Sequence, residues 1–248
     1  MLKVRIIPIL TFNGFGLVKT KKFSNPRMVG NPVQAARVYN NRGVDELVFI
    51  DILATKQKRK INLKLVADVI KECYMPVAIG GGIETIGDIN DLLKIGADKV
   101  IIKTKALLDI DFIKESVAFF GSQCISIAVD VINTTEGYNI YNQLGIEKSL
   151  ENYIQELIGC KVGEFILTSV DKDGMMNGFD IELINCVEKM TNIPIVAVGG
   201  GGNLEHYNEL FSNTNIQAVG SASIFHFSQY TPLDIKNELK SINVPVRF

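Results

Sequence analysis

PVAIGGG at residues 76–82 and PIVAVGG at residues 194–200 are one place written twice, 118 positions apart (194 − 76). In each copy a proline opens a short apolar run, and the run ends on glycines. Such a run suits a strand covered on both faces, and the glycines suit a tight turn leaving it. The same spacing relates Glu46-Leu-Val-Phe-Ile to Glu164-Phe-Ile-Leu-Thr, again at 118 (164 − 46). Thr11 corresponds to Asp130, and Thr104 to Ser223, at 119. The pattern predicts a duplicated half-barrel, with halves of about 1–120 and 121–248.

Outward from these two strands, short apolar runs alternate with amphipathic stretches. Strands are predicted at 4–10, 46–52, 76–80, 98–103, 124–130, 164–170, 194–198 and 217–221. Helices are predicted near 31–42, 62–73, 85–95, 109–120, 149–160, 180–190, 203–212 and 231–242. Asn31-Pro32 and Thr231-Pro232 each set a capping side chain before a proline at the first helical position. Strict alternation predicts α/β architecture, a (β/α)8 TIM barrel forming one domain over 1–248. A doubly wound sheet is the alternative, but eight full units favour closure.

The bulk composition excludes several classes. A net charge of −1 gives no electrostatic footprint for nucleic acid or an anionic membrane. The four cysteines have no CxxC spacing and read as reduced, buried thiols. With only two histidines, no metal site is expected. No apolar run reaches membrane-spanning length, and MLKVRIIPIL lacks the features of a signal peptide. A soluble cytoplasmic protein without a cofactor is expected.

In such barrels, function sits at the C-terminal ends of the strands. There the chain offers Thr11, Asp51, Gly80–Gly82, Lys103-Thr104, Asp130, Asp171–Gly174, Gly199–Gly202 and Ser221–Ser223. Two glycine runs, each paired with a hydroxyl-bearing segment, predict two phosphate sites, because glycine lets backbone N–H groups approach an anion. One glycine run alone would read as a tight βα turn. Two sites across one mouth suit an elongated ligand phosphorylated at both ends. Asp130 ends an apolar strand and suits acid/base or substrate-orienting work, with a loop-ordering carboxylate as the plainer reading. At the opposite end, Arg5, Glu46, Lys99 and Glu164 begin four strands. If the odd residues of the first strand point inward, these charges can close a neutral ring on the barrel floor.

The stretches RIIPIL, GVDELVFIDI, IGGGI, GADKVIIKT, FGSQCISIAVD, GEFILTSVDKDG, GFDIELI and SIFHF resemble, over nearly the whole chain, the HisF family of imidazole glycerol phosphate synthase cyclase subunits. The resemblance implies a HisH-like glutaminase docked on the floor. It also implies ammonia travelling through the barrel, and a bisphosphate aminoimidazole carboxamide ribonucleotide cyclised at the mouth. It assigns Arg5, Glu46, Lys99 and Glu164 to an ammonia gate and Asp98 to the glutaminase interface. It assigns Gly82, Thr104, Gly174, Gly200 and Ser223 to phosphate binding, beside Gly81 and Gly199 of the two glycine runs, and Lys19 to a mobile loop. Asp130 matches one of the family's two catalytic aspartates.

Thr11 stands where the second aspartate is expected, and Lys103 replaces the family's asparagine beside Thr104. The first loop, Asn13-GFGLVKT, also departs from the usual acidic form. The combination resembles a branch associated with surface-polysaccharide or flagellar sugar genes, in which the barrel would pass ammonia to a separate sugar amidotransferase. That conduit is the reading favoured by Thr11. A genuine cyclase of histidine biosynthesis is the alternative, and a sugar-phosphate isomerase is a third. The intact floor residues speak against the third.

Overall fold

The first and last strands of the barrel pair directly with each other. Arg5 to Pro8 run parallel to Ala218 to Ser221, and this seam closes the sheet. The structure, a computed structural model, describes residues 2–248. In chain order its first half comprises β1 (Arg5–Phe12), β2 (Leu17–Lys21), β3 (Ser24–Gly30), α1 (Pro32–Asn41), β4 (Leu47–Asp51), α2 (Leu63–Ile70), β5 (Val77–Gly80), α3 (Ile86–Lys94), β6 (Lys99–Ile102), α4 (Thr104–Leu108) and α5 (Ile110–Phe120). Then follow β7 (Ile125–Thr134), β8 (Gly137–Ile140), α6 (Leu150–Ile158), β9 (Glu164–Ser169), α7 (Ile181–Met190), β10 (Ile195–Val198), α8 (Leu204–Asn213), β11 (Ala218–Ser221), α9 (Ser223–Phe227) and α10 (Pro232–Ser241). Strands β1, β4, β5, β6, β7, β9, β10 and β11 form a closed parallel ring, a (β/α)8 TIM barrel as the sequence predicts.

Alternation along the strands divides the apolar residues into two layers. Ile7, Ile9, Val48, Ala78, Ile101, Ile166, Val196 and Ala218 pack together inside the barrel. Ile6, Leu10, Phe49, Ile79, Ile127, Phe165 and Val219 face outward and are covered by the helices. Odd residues of β1 therefore point inward, which sets Arg5 and Thr11 at opposite ends of one bore.

The predicted helix starts hold. The Asn31 side chain accepts hydrogen bonds from the Val33 and Gln34 N–H groups. Thr231 forms a reciprocal capping box with Asp234. Lys236 of α10 is buried, and its ammonium reaches the Gly43 carbonyl at 2.8 Å and the Asp45 carboxylate at 3.0 Å. Asp45 in turn accepts from the Ile6 N–H, so this pair fastens the last helix to β1.

Four features go beyond simple alternation. Strands β2 and β3 form a hairpin over the mouth, β8 extends β7 as a second hairpin, and α4 and α9 are one-turn helices directly after β6 and β11. One correction concerns the cysteines: Cys160 is buried, whereas Cys73, Cys124 and Cys186 are only half-buried. No helix among the described residues is long and apolar enough to cross a membrane.

Candidate functional site

The four charges predicted at the floor do meet. Arg5 donates to Glu46 at 2.6 Å and to Glu164 at 2.5 Å. Lys99 donates to Glu46 at 2.9 Å and to Glu164 at 2.9 Å, so two cations and two carboxylates alternate around a closed ring. Ser126 adds a longer contact to Glu164 at 3.4 Å. Burial alone would disfavour the charged form of Glu164, but Arg5 and Lys99 outweigh it and hold the carboxyl below its ordinary value. Burial likewise opposes the Arg5 charge, and the two glutamates more than offset it. Asp98 sits outside the ring. It is exposed, and its carboxylate accepts from the Val77 N–H at 2.8 Å, joining β5 to the start of β6.

At the other end lies a cavity of about 770 Å³, lined by Thr11, Lys19, Asp51, Lys103, Asp130 and Asp173 together with the glycine runs. Gly81, Gly82, Thr104, Gly174, Gly199, Gly200 and Ser223 all border it, so the sequence-predicted phosphate residues converge on one mouth. Gly82 has φ +67°, and a Cβ there would press on Ala54 and the Arg59 carbonyl. Gly200 has φ +109°, and a Cβ there would strike the Gly178 carbonyl. These glycines serve the loop packing as well as the approach of a ligand.

Among the described residues, three buried side-chain polar atoms lack a hydrogen-bond partner: the Tyr153 hydroxyl, Asn208 Oδ1 and the Ser223 hydroxyl. Two of these residues, Tyr153 and Ser223, line the mouth. Buried orphan hydroxyls are costly in a folded protein unless something else satisfies them, and a ligand is the natural partner for groups that border a cavity.

Asp130 is ion-paired with Lys103. Asp173, on the loop after β9, is paired with Lys19 at 2.6 Å and also accepts from Thr20 at 3.1 Å. Asp51 receives both arms of Arg59, at 2.6 and 2.9 Å, a bidentate bond that raises the guanidinium further. Each of the three carboxylates at the mouth thus has its own cation. The Thr11 hydroxyl donates to the Val18 carbonyl of β2, so it braces the hairpin. Sequence reasoning placed these carboxylates at the mouth but missed the pairings: Lys19 and Lys103 come from elements remote in sequence from their partners, and Arg59 reaches back along its own loop to Asp51. No cluster of three or more His, Cys, Asp or Glu side chains suited to a metal ion occurs among the described residues.

The profile of the family described as histidine biosynthesis protein matches residues 5–231. The imidazole glycerol phosphate synthase subunit HisF of Staphylococcus saprophyticus is 41% identical over the full length of both chains. The subunits of the same name from Streptococcus mutans and Dehalococcoides mccartyi are 39% and 40% identical, covering all of this chain and 100% and 99% of theirs. The chain belongs to the histidine biosynthesis protein family, among the HisF subunits of imidazole glycerol phosphate synthase.

Proposed function

We propose that this chain is the ammonia-receiving subunit of a glutamine-dependent complex. A HisH-like glutaminase docks on the floor beside Asp98. Ammonia passes the ring of Arg5, Glu46, Lys99 and Glu164, follows the apolar bore, and emerges at the mouth. There Gly81, Gly82 and Thr104 hold one phosphate of a ligand, and Gly174, Gly199, Gly200 and Ser223 hold the other. The observation that carries the reading is the floor ring. Four charges closing the end of an apolar bore are expensive to desolvate, and replacing such a set by apolar residues is often neutral or stabilising. A role in admitting a small polar molecule accounts for their presence.

The relatives' name favours synthesis of imidazole glycerol phosphate at the mouth, for which the family resemblance implies cyclisation of a bisphosphate aminoimidazole carboxamide ribonucleotide. A second reading, passage of ammonia to a separate sugar amidotransferase, is favoured by one observation. Thr11 is a hydroxyl tied to Val18, and Asp130 is tied to Lys103, so no pair of free carboxylates faces the cavity.

Two measurements test the common part. Mixing this chain with its cognate glutaminase should give a stoichiometric complex by gel filtration and faster glutamine hydrolysis. A glutaminase that neither binds nor responds would remove the docking claim. For the mouth, titration with inorganic phosphate should show weaker binding to Ser223→Ala by about tenfold, the value of one hydrogen bond to a charged acceptor. The ligand-free melting temperature should hardly change, since the hydroxyl removed has no protein partner. Equal phosphate affinity in the two proteins would exclude Ser223 from the anion site.

A further inference from the structure

Lys103 stands between the hairpin and Asp130. Its ammonium is paired with the Asp130 carboxylate. The same ammonium lies 5.6 Å from the ring centre of Phe23 and 5.6 Å from that of Tyr141. Those two rings meet edge to face at 5.5 Å. Phe23 is at the turn of the β2–β3 hairpin, Tyr141 follows β8, Lys103 follows β6, and Asp130 is on β7. One contact cluster therefore joins three stretches that are remote in sequence: the β2–β3 turn, the end of β6 and the β7–β8 hairpin.

Besides the Thr11 brace on Val18, the hairpin has two points of attachment over the mouth. On one side Lys19 and Thr20 bond the Asp173 side chain, and the Lys22 N–H bonds the Asp173 carbonyl at 2.9 Å. On the other side the tip is held through Phe23, Tyr141 and Lys103. Strand β3 is almost wholly exposed, and β2 is buried only from Leu17 to Lys19, so the far end of the hairpin depends on these attachments. A cation over two aromatic faces and against a carboxylate is partly desolvated, where cation–π attraction is strongest.

We infer that Lys103 is a positioning residue that makes closure of the β2–β3 hairpin and orientation of the Asp130 carboxylate a single event. When the hairpin is down, Phe23 and Tyr141 hold the ammonium, and the ammonium holds the carboxylate against the β6 side of the mouth. When the hairpin lifts, Lys103 loses half its aromatic surround and Asp130 is released from that orientation. A group bound at the mouth that competes for Lys103 or for Asp130 thereby acts on the hairpin without touching it.

The test is hydrogen exchange of residues 17–30 in the ligand-free chain, read beside the melting temperature. Lys103→Met keeps the length of the side chain and removes its charge; it should speed exchange in the hairpin by about three- to thirtyfold, the range of a cation–π contact. Lys103→Arg keeps both the aromatic and the carboxylate contacts and should restore slow exchange. The Asp130 side chain makes no hydrogen bond or ion pair to the hairpin, yet Asp130→Asn should also speed exchange there, because the ammonium is no longer anchored. Phe23→Leu should do the same. The double variant Asp130→Asn/Phe23→Leu should exchange about as fast as the faster single one, since both break one linkage. Hairpin exchange unchanged in Asp130→Asn, or effects in the double variant that simply multiply, would overturn the coupling. If Lys103→Met fails to fold, the Asp130 and Phe23 variants decide the matter alone.

Discussion

Glu164→Gln should lower the thermal midpoint at pH 7 by about 6–12 °C. The side chain is 6% exposed and serves both Arg5 and Lys99. Without its charge, Glu46 is left to balance two cations alone. Removing one partner of a buried ion-pair network costs about 3 kcal/mol or more. In a chain of this length each kcal/mol moves the midpoint by about 2–4 °C. The acid limb adds a second signature. The Glu164 carboxyl titrates below its ordinary 4.5 in the fold, so the ring's contribution is complete above that pH. It is lost as the pH falls from 4.5 through the lower folded value. The variant should therefore show a flatter loss of stability below pH 4.5 than the parent. Parallel acid limbs, followed by circular dichroism, would show that Glu164 gains nothing from the ring.

The second large effect concerns Thr11. Given ammonium salts and the bisphosphate aminoimidazole carboxamide ribonucleotide, the parent chain should turn over about 10²–10⁴ times more slowly than a HisF subunit with two aspartates, the usual loss for one positioned acid/base group. A threonine hydroxyl is neutral throughout the physiological range and orients a proton acceptor without being one. Thr11→Asp restores a carboxylate at the inward-facing end of β1 and should raise the rate. It also breaks the bond to Val18, so the gain should fall short of full recovery. Steady-state turnover of the two proteins at saturating ammonium is the measurement. A normal cyclase rate in the parent would sink the conduit reading and assign the chemistry to Asp130 with Lys103 or Asp173.

The barrel was legible because strands buried on both faces announce themselves as continuous apolar runs, and because two copies of one pattern confirm each other. The floor ring was legible from parity: once Arg5 and Thr11 share a face, their separation along β1 puts one at each end. The β2–β3 hairpin was not. Strand β3 is exposed along nearly its whole length, so burial leaves no apolar pattern in it. Its turn residues Lys22 and Phe23 take φ +48° and +58°, a conformation usually announced by Asn-Gly or Asp-Gly. The tertiary attachments of the tip impose that backbone, and nothing local in the sequence declares it. The pairing of Asp130 escaped for a related reason. Lys103 read as a neighbour of Thr104 in a phosphate loop, and only the closed ring brings the ends of β6 and β7 side by side.

The seam between β1 and β11 has a consequence for how this protein is made. Residues 5–8 leave the ribosome 213 residues (218 − 5) ahead of their partners at 218–221. For most of synthesis β1 can pair with β4 but has nothing on its other side. Its free N–H and C=O groups, and later those of each newest strand, are open to a neighbouring nascent chain. Helix α10 then brings Lys236 onto Asp45, the residue already holding the Ile6 N–H, so a late segment clamps an early one. Truncation before α10 would leave that clamp unmade, and it is at this step that misassembly between nascent copies should concentrate.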